Sequence, residues 1–481
     1  MSTSAKFPAD FHWGYATASA QVEGSISADG KSPSIWDTFS SDPAHSEDGG
    51  NTSTATETYT KWQEDIALMK SYGVNSYRLS LSWTRILPDG VAGSKVNKAG
   101  VEWYRKVLKG LLEAGITPFV TLFHWDLPQV LQDKYLGFLS SEIVPDFENY
   151  ARVCYRELGD LVQYWFTINE PNVYSLLGHA IGKHAPGRSS DRNISPQGDS
   201  QTEPLIVGHN LLLAHASAVK VYHDDFASSQ GGKIGLVVNM LWGEPLTDSA
   251  EDKAATEKFL AVYNGWFAEP LVTGDYPALF KEVHGSRLPA FTDNQKALVK
   301  GSSDFLAINH YTTNMVRAAD SSAAPTTGPL SAFLPGIEIG FEDKDGKPIG
   351  PAAGLSWVRP VPWGFGKLLD WAHKSYGLDI YISENGVVCP NENRLSRDEA
   401  LQDDFRVNYL STYADQIALK IEQGVPVKSY LMWAFTDNFE WQEGYTARFG
   451  VTWIDYQDDC RRYPKKSAGY MRNYFAARLA R

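Results

Sequence analysis

Two glutamates in the sequence each end an apolar run of the kind that forms a buried strand. Glu384 closes the run 380–384 and is followed by Asn385 and Gly386, while Glu170 follows the run 164–169 and precedes a proline. A buried carboxylate is costly unless it meets a cation or takes part in chemistry. Glycoside hydrolysis uses two carboxyl groups, one as a proton donor and one ionised. Glu170 and Glu384 are therefore candidate catalytic residues.

The alternative interpretation of this pair is a buried salt bridge, which would need two cations at strand ends. The sequence offers one, Arg78, inside the apolar run 74–83. We expect Arg78 to keep one glutamate ionised, and a role as a core ion-pair partner overlaps with this one. Carboxyl groups ~5 Å apart predict a retaining mechanism, because the charge of one disfavours ionisation of the other. Asn169, beside Glu170, is expected to donate to the sugar 2-hydroxyl.

Further polar and aromatic residues follow other predicted strands and could bind a sugar. Donors and acceptors for hydroxyl groups are expected from Gln21, His124 and Glu440, and stacking surfaces from Trp433 and Trp441. A histidine such as His124 is, taken alone, more often a satisfied core residue. The residues at the ends of the predicted fifth and sixth strands face the same opening: Asn239, Asn309 and Tyr311.

The elements that must position these side chains alternate between strands and amphipathic helices. The predicted strands cover residues 11–18, 74–83, 117–125, 163–169, 233–239, 304–311, 380–384 and 427–435. Eight strands that alternate with helices predict an α/β fold, a single (β/α)8 TIM barrel over residues 1–481 with long βα loops at the active-site mouth. An open, doubly wound sheet is the alternative, but no dinucleotide-binding fingerprint follows the first strand.

Local signals add two expectations about helices and loops. The spacing Thr54-Ala55-Thr56-Glu57 predicts a capping box for a helix that ends at Gly73, and a second helix should bury a stripe from Val101 to Leu112. The polar segments 186–204 and 318–354 follow strand ends. We therefore expect both on the catalytic face, since a linker would have to separate two self-sufficient patterns.

Composition excludes several classes of partner. A formal charge of −13 argues against nucleic acid and anionic membranes. No apolar run approaches the ~20 residues of a membrane span, and the start of the chain has no signal-peptide h-region. Three widely spaced cysteines fit free thiols, so a cytoplasmic protein is expected. No His-Glu-x-x-His pattern, hydrolase elbow or phosphate loop is present, so we expect neither a metal nor a cofactor.

These motifs together resemble the family 1 glycoside hydrolases, of the fungal intracellular β-glucosidase type. The resemblance runs from Phe7 to Ala468 and is carried by the segments 167–171, 382–386, 124–128 and 437–441. It implies a (β/α)8 barrel with Glu170 as acid/base, Glu384 as nucleophile and Tyr311 hydrogen-bonded to that nucleophile. The sugar site implied is Gln21, His124, Asn169, Tyr311, Trp433, Glu440 and Trp441, and the aglycone side is expected to include Asn239, Trp357 and Asn172.

The resemblance also separates subtypes of activity. It implies exo-acting hydrolysis of small β-glucosides such as cellobiose, with possible transglycosylation and tolerance of galactosides and fucosides. Glu440 would repel a sugar phosphate, and a glutamate at position 170 argues against a plant-type thioglucosidase. A non-catalytic carbohydrate-binding relative is the alternative from another class, and such relatives usually lose one glutamate. The sequence departs from the family pattern at Ala434-Phe435-Thr436, so the resemblance does not define the outer part of the site. The sequence does not indicate the oligomeric state.

Overall fold

The computed structural model describes residues 6–319 and 333–480, and a closed barrel of eight parallel strands lies at its centre. In chain order the strands are β1 (His12–Ala16), β2 (Ser76–Ser80), β3 (Thr117–Phe123), β4 (Tyr164–Asn169), β5 (Lys233–Asn239), β6 (Trp242–Pro245), β7 (Leu306–Asn309), β8 (Thr313–Ala318), β9 (Ile337–Gly340), β10 (Ile380–Glu384), β11 (Val427–Trp433), β12 (Thr452–Asp455) and β13 (Arg461–Pro464). The barrel order is β1-β11-β10-β7-β5-β4-β3-β2. Because β1 pairs with both β2 and β11, the sheet is closed, and the predicted barrel is confirmed over the open sheet.

Helices connect the strands and cover the outside of the barrel. The α-helices span Ser19–Val22, Ile35–Phe39, Thr58–Ser71, Trp83–Ile86, Lys98–Glu113, Gln129–Tyr135, Ile143–Leu158, Pro171–Leu176, Glu203–Val221, Ala227–Gln230, Ala250–Phe259, Gly265–Thr273, Ala278–His284, Asp293–Val299, Pro362–Tyr376, Arg397–Ala400, Asp404–Glu422 and Lys466–Arg478. The helix Lys98–Glu113 shows why the sequence folds this way. Its apolar residues recur on one face, where Tyr104, Leu108 and Leu111 are fully buried.

Two local predictions about these helices were wrong. Leu112 is 44% exposed, because its place in the helix turns it away from the barrel. The capping box predicted from Thr54 does not form: the helix Thr58–Ser71 begins after Glu57, whose side chain makes no cap. Ala55 and Glu57 have φ values of 48° and 55°, so the chain turns sharply here, and this turn sets the start of the helix.

The register of the parallel strands places several candidate residues at one height. Asn239 on β5 pairs with Asn309 on β7, and Asn309 pairs with Glu384 on β10. Across the barrel, Ala16 on β1 pairs with both Arg78 and Trp433. Parallel strands bring their carboxyl ends to one edge, and this edge is the catalytic face of a (β/α)8 barrel.

The interior below this edge is filled by side chains. An apolar cluster contributed by six barrel strands and the residue before β7 closes the barrel: Phe119, Phe166, Val237, Phe305, Ala307, Tyr381 and Leu431. Such a floor excludes water from beneath the polar groups at the carboxyl edge, and it lowers the local dielectric constant around them.

The long segments after the strands extend the carboxyl edge. The ring of His184, just before the polar region after β4, lies 5.4 Å from that of Trp125, which follows β3, with the two planes tilted by 52°. A small sheet in the order β6-β8-β9 follows β5 and β7. In the segment predicted over 318–354, residues 320–332 lie outside the described residues. Within the described parts of the chain, no helix is long and apolar enough to cross a membrane.

Candidate active site

Glu384, the last residue of β10, is held by two donors. Arg78 Nη1 donates to its Oε1 at 2.5 Å, and Tyr311 Oη donates to its Oε2 at 2.7 Å. The side chain of Glu384 is 4% exposed, so its ion pair with Arg78 is shielded from water. With one donor on each oxygen, the carboxyl group is fixed in one orientation.

The guanidinium of Arg78 is itself fixed on every side. Its Nε donates to Thr121 Oγ1 at 3.0 Å, and its Nη1 also donates to the Ser383 carbonyl at 3.1 Å. Its Nη2 donates to Asn169 Oδ1 at 2.7 Å, while its Cζ lies 5.2 Å from the Phe166 ring centroid. The two interpretations of Arg78 therefore describe one arrangement: it is a core ion-pair partner, and that partner is Glu384.

Glu170 lies directly after β4 and takes an unusual backbone conformation. Its φ is 44°, its amide donates to the Val237 carbonyl at 2.9 Å, and Pro171 opens the next helix. This turn aims the side chain into the barrel mouth, where Oε1 accepts from Asn239 Nδ2 at 2.9 Å and from Asn309 Nδ2 at 2.8 Å. A non-glycine residue at positive φ stores strain that the surrounding structure must offset, as is common at functional sites.

The two carboxyl groups differ in the groups that act on their pKa values. Burial, and after it the charge of Glu384, raises the pKa of Glu170 from 4.5 to about 8, against the donors Asn239 and Asn309. Burial also raises the pKa of Glu384, but Arg78 and Tyr311 oppose that rise. Two close carboxyl groups resist ionising together, and Arg78, which favours the charged form, lies against Glu384 and not against Glu170.

Asn169 links the two halves of the site and sets the state of His124. Its Oδ1 accepts from Arg78 and from Asn309 Nδ2, which fixes the orientation of the amide. Its Nδ2 therefore faces His124 Nε2 at 3.0 Å and donates to it. Burial and the charge of Arg78 lower the pKa of His124 well below 6.5, so the ring is neutral. The proton then lies on Nδ1, a buried donor with no partner among the described residues.

The opposite side of the cavity combines aromatic rings with Gln21 and Glu440. Gln21 Nε2 donates to the Phe439 carbonyl at 3.0 Å, which leaves its buried Oε1 without a partner among the described residues. Trp433 Nε1 and Gln21 Nε2 both lie 3.4 Å from Glu440 Oε2. The ring of His124 lies 6.0 Å from those of both Trp433 and Trp441, centroid to centroid. Unpartnered polar atoms beside aromatic faces form a cavity suited to a hydroxyl-rich ligand.

The structure gives two predicted binding residues a different place. Asn309, expected to contact the sugar, donates to Glu170 and Asn169 and accepts from Ser383 Oγ at 2.7 Å, so its hydrogen bonds go to site residues. Asn172, expected on the aglycone side, is fully buried and donates to the Asn239 carbonyl at 2.9 Å. It lies in the first turn of the helix Pro171–Leu176, and its Oδ1 has no partner among the described residues.

Asn239 and Trp357 stand at the cavity and its rim. Asn239, predicted for the aglycone side, contacts Glu170 directly, and its Oδ1 accepts from Tyr263 Oη at 2.9 Å. Trp357 is 45% exposed, and its ring meets that of Tyr311 edge to face at 5.7 Å. Trp357 therefore lies at the outer edge of the group that holds Glu384.

Several residues that hold the site together were not among the predicted site residues. Trp125, Ser383 and Asn438 lie in the quoted motifs without a predicted role in the site, whereas Thr121 and Tyr263 were missed. Trp125 Nε1 donates to the Asn169 carbonyl at 2.8 Å, and Asn438 Oδ1 accepts from Gln21. Ser383 and Trp125 also adjoin the candidate residues Glu384 and His124, which is a second signal for them. Tyr263 lies in a helical segment far along the chain, so nothing in the sequence connects it with Asn239. Among residues 6–319 and 333–480, no group of three or more His, Cys, Asp or Glu side chains could hold a metal ion.

Comparison with known proteins identifies the family. The sequence model described as glycosyl hydrolase family 1 matches residues 3–478. The chain belongs to glycosyl hydrolase family 1. The hydrolase is 48% identical over its whole length to β-glucosidase 1B of Phanerodontia chrysosporium, and the alignment covers 88% of that protein.

Solved structures agree with this assignment. The hydrolase superimposes with a TM-score of 0.96 and 44% identity on a GH1 β-glucosidase of Humicola insolens in complex with glucose, covering 99% of each chain. It superimposes with a TM-score of 0.93 and 44% identity on β-glucosidase 2 of Trichoderma reesei in complex with Tris, covering 99% of this chain and 100% of that one. Both of these solved structures are of fungal members of the family.

Proposed function

We propose that this hydrolase is a retaining, exo-acting β-glucosidase that removes terminal non-reducing β-D-glucosyl residues from cellobiose, short oligosaccharides and aryl glucosides. The observation that carries the proposal is the contrast between the partners of the two glutamates: Arg78 and Tyr311 donate to Glu384, whereas Glu170 accepts from the amides of Asn239 and Asn309. The relative from Phanerodontia is named a β-glucosidase, and the Humicola structure contains glucose, which supports glucosides as substrates here.

In the first step Glu384 is the nucleophile and Glu170 the acid. A carboxylate oxygen of Glu384 attacks the anomeric carbon while Glu170 passes its proton to the glycosidic oxygen, so that the C–O bond breaks and the alcohol leaves. Arg78 holds Glu384 ionised before the attack, and Tyr311 orients it. The product of this step is a covalent glucosyl ester on Glu384.

In the second step the same two residues exchange tasks. Esterification removes the negative charge of Glu384, which is one of the two causes that raise the pKa of Glu170. Glu170, now ionised, takes a proton from water, whose oxygen attacks the anomeric carbon. The ester bond to Glu384 breaks, its carboxylate is regenerated, and glucose leaves with its configuration retained. An alcohol in place of water would give transglycosylation.

The remaining residues are proposed to bind the terminal glucosyl unit. The free Nδ1–H of His124 and the free Oε1 of Gln21 supply one donor and one acceptor for its hydroxyl groups. Asn169 has a second amide hydrogen for the 2-hydroxyl. Trp433 forms the stacking floor, and Glu440 with Trp441 closes the far end, which accounts for exo action. Asn309 orients Glu170 rather than binding the sugar.

Azide rescue tests the roles of the two glutamates. We expect Glu384→Gly to lose turnover of an aryl β-glucoside and to regain it with azide as the α-glucosyl azide. We expect Glu170→Ala to be rescued as the β-glucosyl azide, because the glucosyl ester of Glu384 still forms. The opposite anomers would reverse the assignment, and no turnover by the wild-type protein would favour a binding role.

A further inference from the structure

Asp126 is a buried carboxyl group close to the sugar cavity that the catalytic steps do not use. It follows the end of β3 and is 2% exposed, and its Oδ1 has no partner among the described residues. Lys31 acts on it through its charge, but that ammonium group is bound to Asp37 at 2.5 Å. A carboxyl group is costly to bury with so little compensation, so the hydrogen bond that Asp126 does make is informative.

That hydrogen bond joins two segments that carry proposed sugar contacts. Ser19 Oγ donates to Asp126 Oδ2 at 2.8 Å. Asp126 is two residues after His124, whose Nδ1–H is a free donor. Ser19 is two residues before Gln21, whose Oε1 is a free acceptor. The bond therefore connects the segment with the free donor to the segment with the free acceptor.

Ser19 is held from a second side by Ser80, the last residue of β2. The Ser19 amide donates to Ser80 Oγ at 2.7 Å, and Ser80 Oγ donates to Ser19 Oγ at 3.0 Å. The hydroxyl group of Ser19 thus accepts from Ser80 and gives its one proton to Asp126. Both serines are buried, so water does not compete for these bonds, and the hydroxyl group keeps one orientation.

The helix that carries Gln21 depends on such contacts for its position. The helix Ser19–Val22 has four residues and no side-chain cap, and a single turn is not stable by itself. At its other end, Glu23 accepts from Arg85 Nε at 3.0 Å and from Tyr104 Oη at 2.6 Å. Gln21 lies between these two anchors, so the loss of either one would let its side chain move.

The other contacts of Gln21 lead to a different part of the barrel. Its Nε2 donates to the Phe439 carbonyl at 3.0 Å, and its own carbonyl accepts from the Phe439 amide at 3.1 Å. These bonds decide which end of the side-chain amide faces the cavity. They tie Gln21 to the segment after β11, whereas the bond from Ser19 to Asp126 ties its helix to the segment of His124.

We propose that Asp126 and Ser19 are positioning residues that fix Gln21 relative to His124, so that both reach hydroxyl groups of one glucosyl ring. The proposal rests on the proposed β-glucosidase function and deepens it, because it adds two residues to the selection of the sugar. Neither residue contacts the sugar in this proposal. The effect of each passes through the side chains of Gln21 and His124.

The test measures which sugar hydroxyl groups each variant still recognises. The substrates are 4-nitrophenyl β-glucoside and its 2-, 3-, 4- and 6-deoxy analogues. For each protein, the deoxy penalty is kcat/KM for the parent glucoside divided by kcat/KM for the analogue. Gln21→Ala identifies the hydroxyl groups that Gln21 binds, because their penalties fall in that variant.

We expect Ser19→Ala to lower the same penalties as Gln21→Ala by about three- to tenfold, the value of one hydrogen bond. The penalty for the 2-hydroxyl group, proposed for Asn169, should keep its wild-type value. Asp126→Ala removes the same bond from its other end and should lower the same penalties. Asp126→Asn keeps an oxygen acceptor for Ser19 and should recover most of the wild-type penalties.

Ser302→Ala is the matched control. Ser302 is 4% exposed, its Oγ donates to the Val299 carbonyl at 2.7 Å, and it precedes β7 at the opposite edge of the barrel from the site. It should keep every penalty. If Ser19→Ala kept every penalty as well, with or without a uniform loss of kcat/KM, the positioning role would be overturned and the β-glucosidase proposal would stand. If Gln21→Ala changed no penalty, the positioning role would be overturned together with the sugar contact proposed for Gln21. Absence of hydrolysis by the wild-type protein would overturn both proposals.

Discussion

Replacing Glu384 with Gln tests the electrostatic relation between the two glutamates, because it removes a charge and keeps the shape. Glu170 has a pKa of about 8 against an ordinary 4.5, with burial as the first cause and Glu384 as the second. At the ~5 Å separation of a retaining pair and an effective dielectric constant of ~20, the repulsion is about 3 kcal/mol, or about 2 pH units. We therefore expect the pKa of Glu170 to fall to about 6 in Glu384→Gln. It should stay above the ordinary value, because burial is unchanged.

The measurement is a 13C NMR titration of protein labelled at the glutamate side-chain carboxyl carbons. The Glu170 signal is assigned by its absence in Glu170→Gln. Glu440→Gln is the control. Burial, and after it Glu443, raises the pKa of Glu440 well above its usual range, whereas the pKa of Glu170 is set by burial, Glu384, Asn239, Asn309 and Arg78. The control should leave the pKa of Glu170 near 8. If Glu384→Gln also left it there, burial alone would set the pKa, and the proposed exchange of roles between the two catalytic steps would lose its physical basis.

Three further predictions concern the residues that hold the site. Arg78→Met removes the cation that lowers the pKa of Glu384, so the acidic limb of the kcat/KM profile should move to higher pH. The value of kcat should also fall about 10²-fold or more. An acidic limb that does not move in the pH–rate profile would contradict this prediction. Asn239→Leu removes a donor that lowers the pKa of Glu170, so the basic limb of the pH–rate profile should move to higher pH by about half to one unit. A shift to lower pH would count against that hydrogen bond. Lys465→Met leaves two buried carboxylates without their shared cation. Urea unfolding should show that the free energy of unfolding falls by about 3–5 kcal/mol. A decrease below about 1 kcal/mol would mean that the other partners of the two carboxylates are enough to stabilise them.

The last of these variants concerns a buried ion network that sequence analysis did not detect. Lys465 Nζ bridges Glu392 Oε1 at 2.5 Å and Asp437 Oδ1 at 2.8 Å, and Arg406 binds the other oxygen of Glu392 at 2.6 Å. Although burial opposes it, Arg406 and Lys465 lower the pKa of Glu392 to about 2. Its contribution to stability is therefore present above the ordinary value of 4.5 and is lost as the pH falls from there toward 2. Asp437 lies three residues before Glu440, so the network supports the wall of the cavity.

Much of the barrel could be read from local pattern. The predicted bounds of β5 and β10 agree with the structure, because a buried parallel strand is a short apolar run with clear ends. The ends of β2 and β7 were predicted too long, since apolar residues continue into the turns that follow. The capping box predicted at Thr54 does not form, because Ala55 and Glu57 adopt left-handed backbone conformations that the four-residue pattern does not encode.

The sequence by itself determined which side chains reach the carboxyl edge of the barrel, because strand period and strand order follow from the spacing of apolar residues. Only the tertiary structure decided what those side chains do there. Asn309, predicted to bind sugar, donates to Glu170, and Asn172, predicted for the aglycone side, is buried and donates to the Asn239 carbonyl. The physical reason is that hydrogen bonds and charge interactions act over a few ångströms between residues far apart in the chain. Partners are therefore chosen by strand register and by the closure of the barrel.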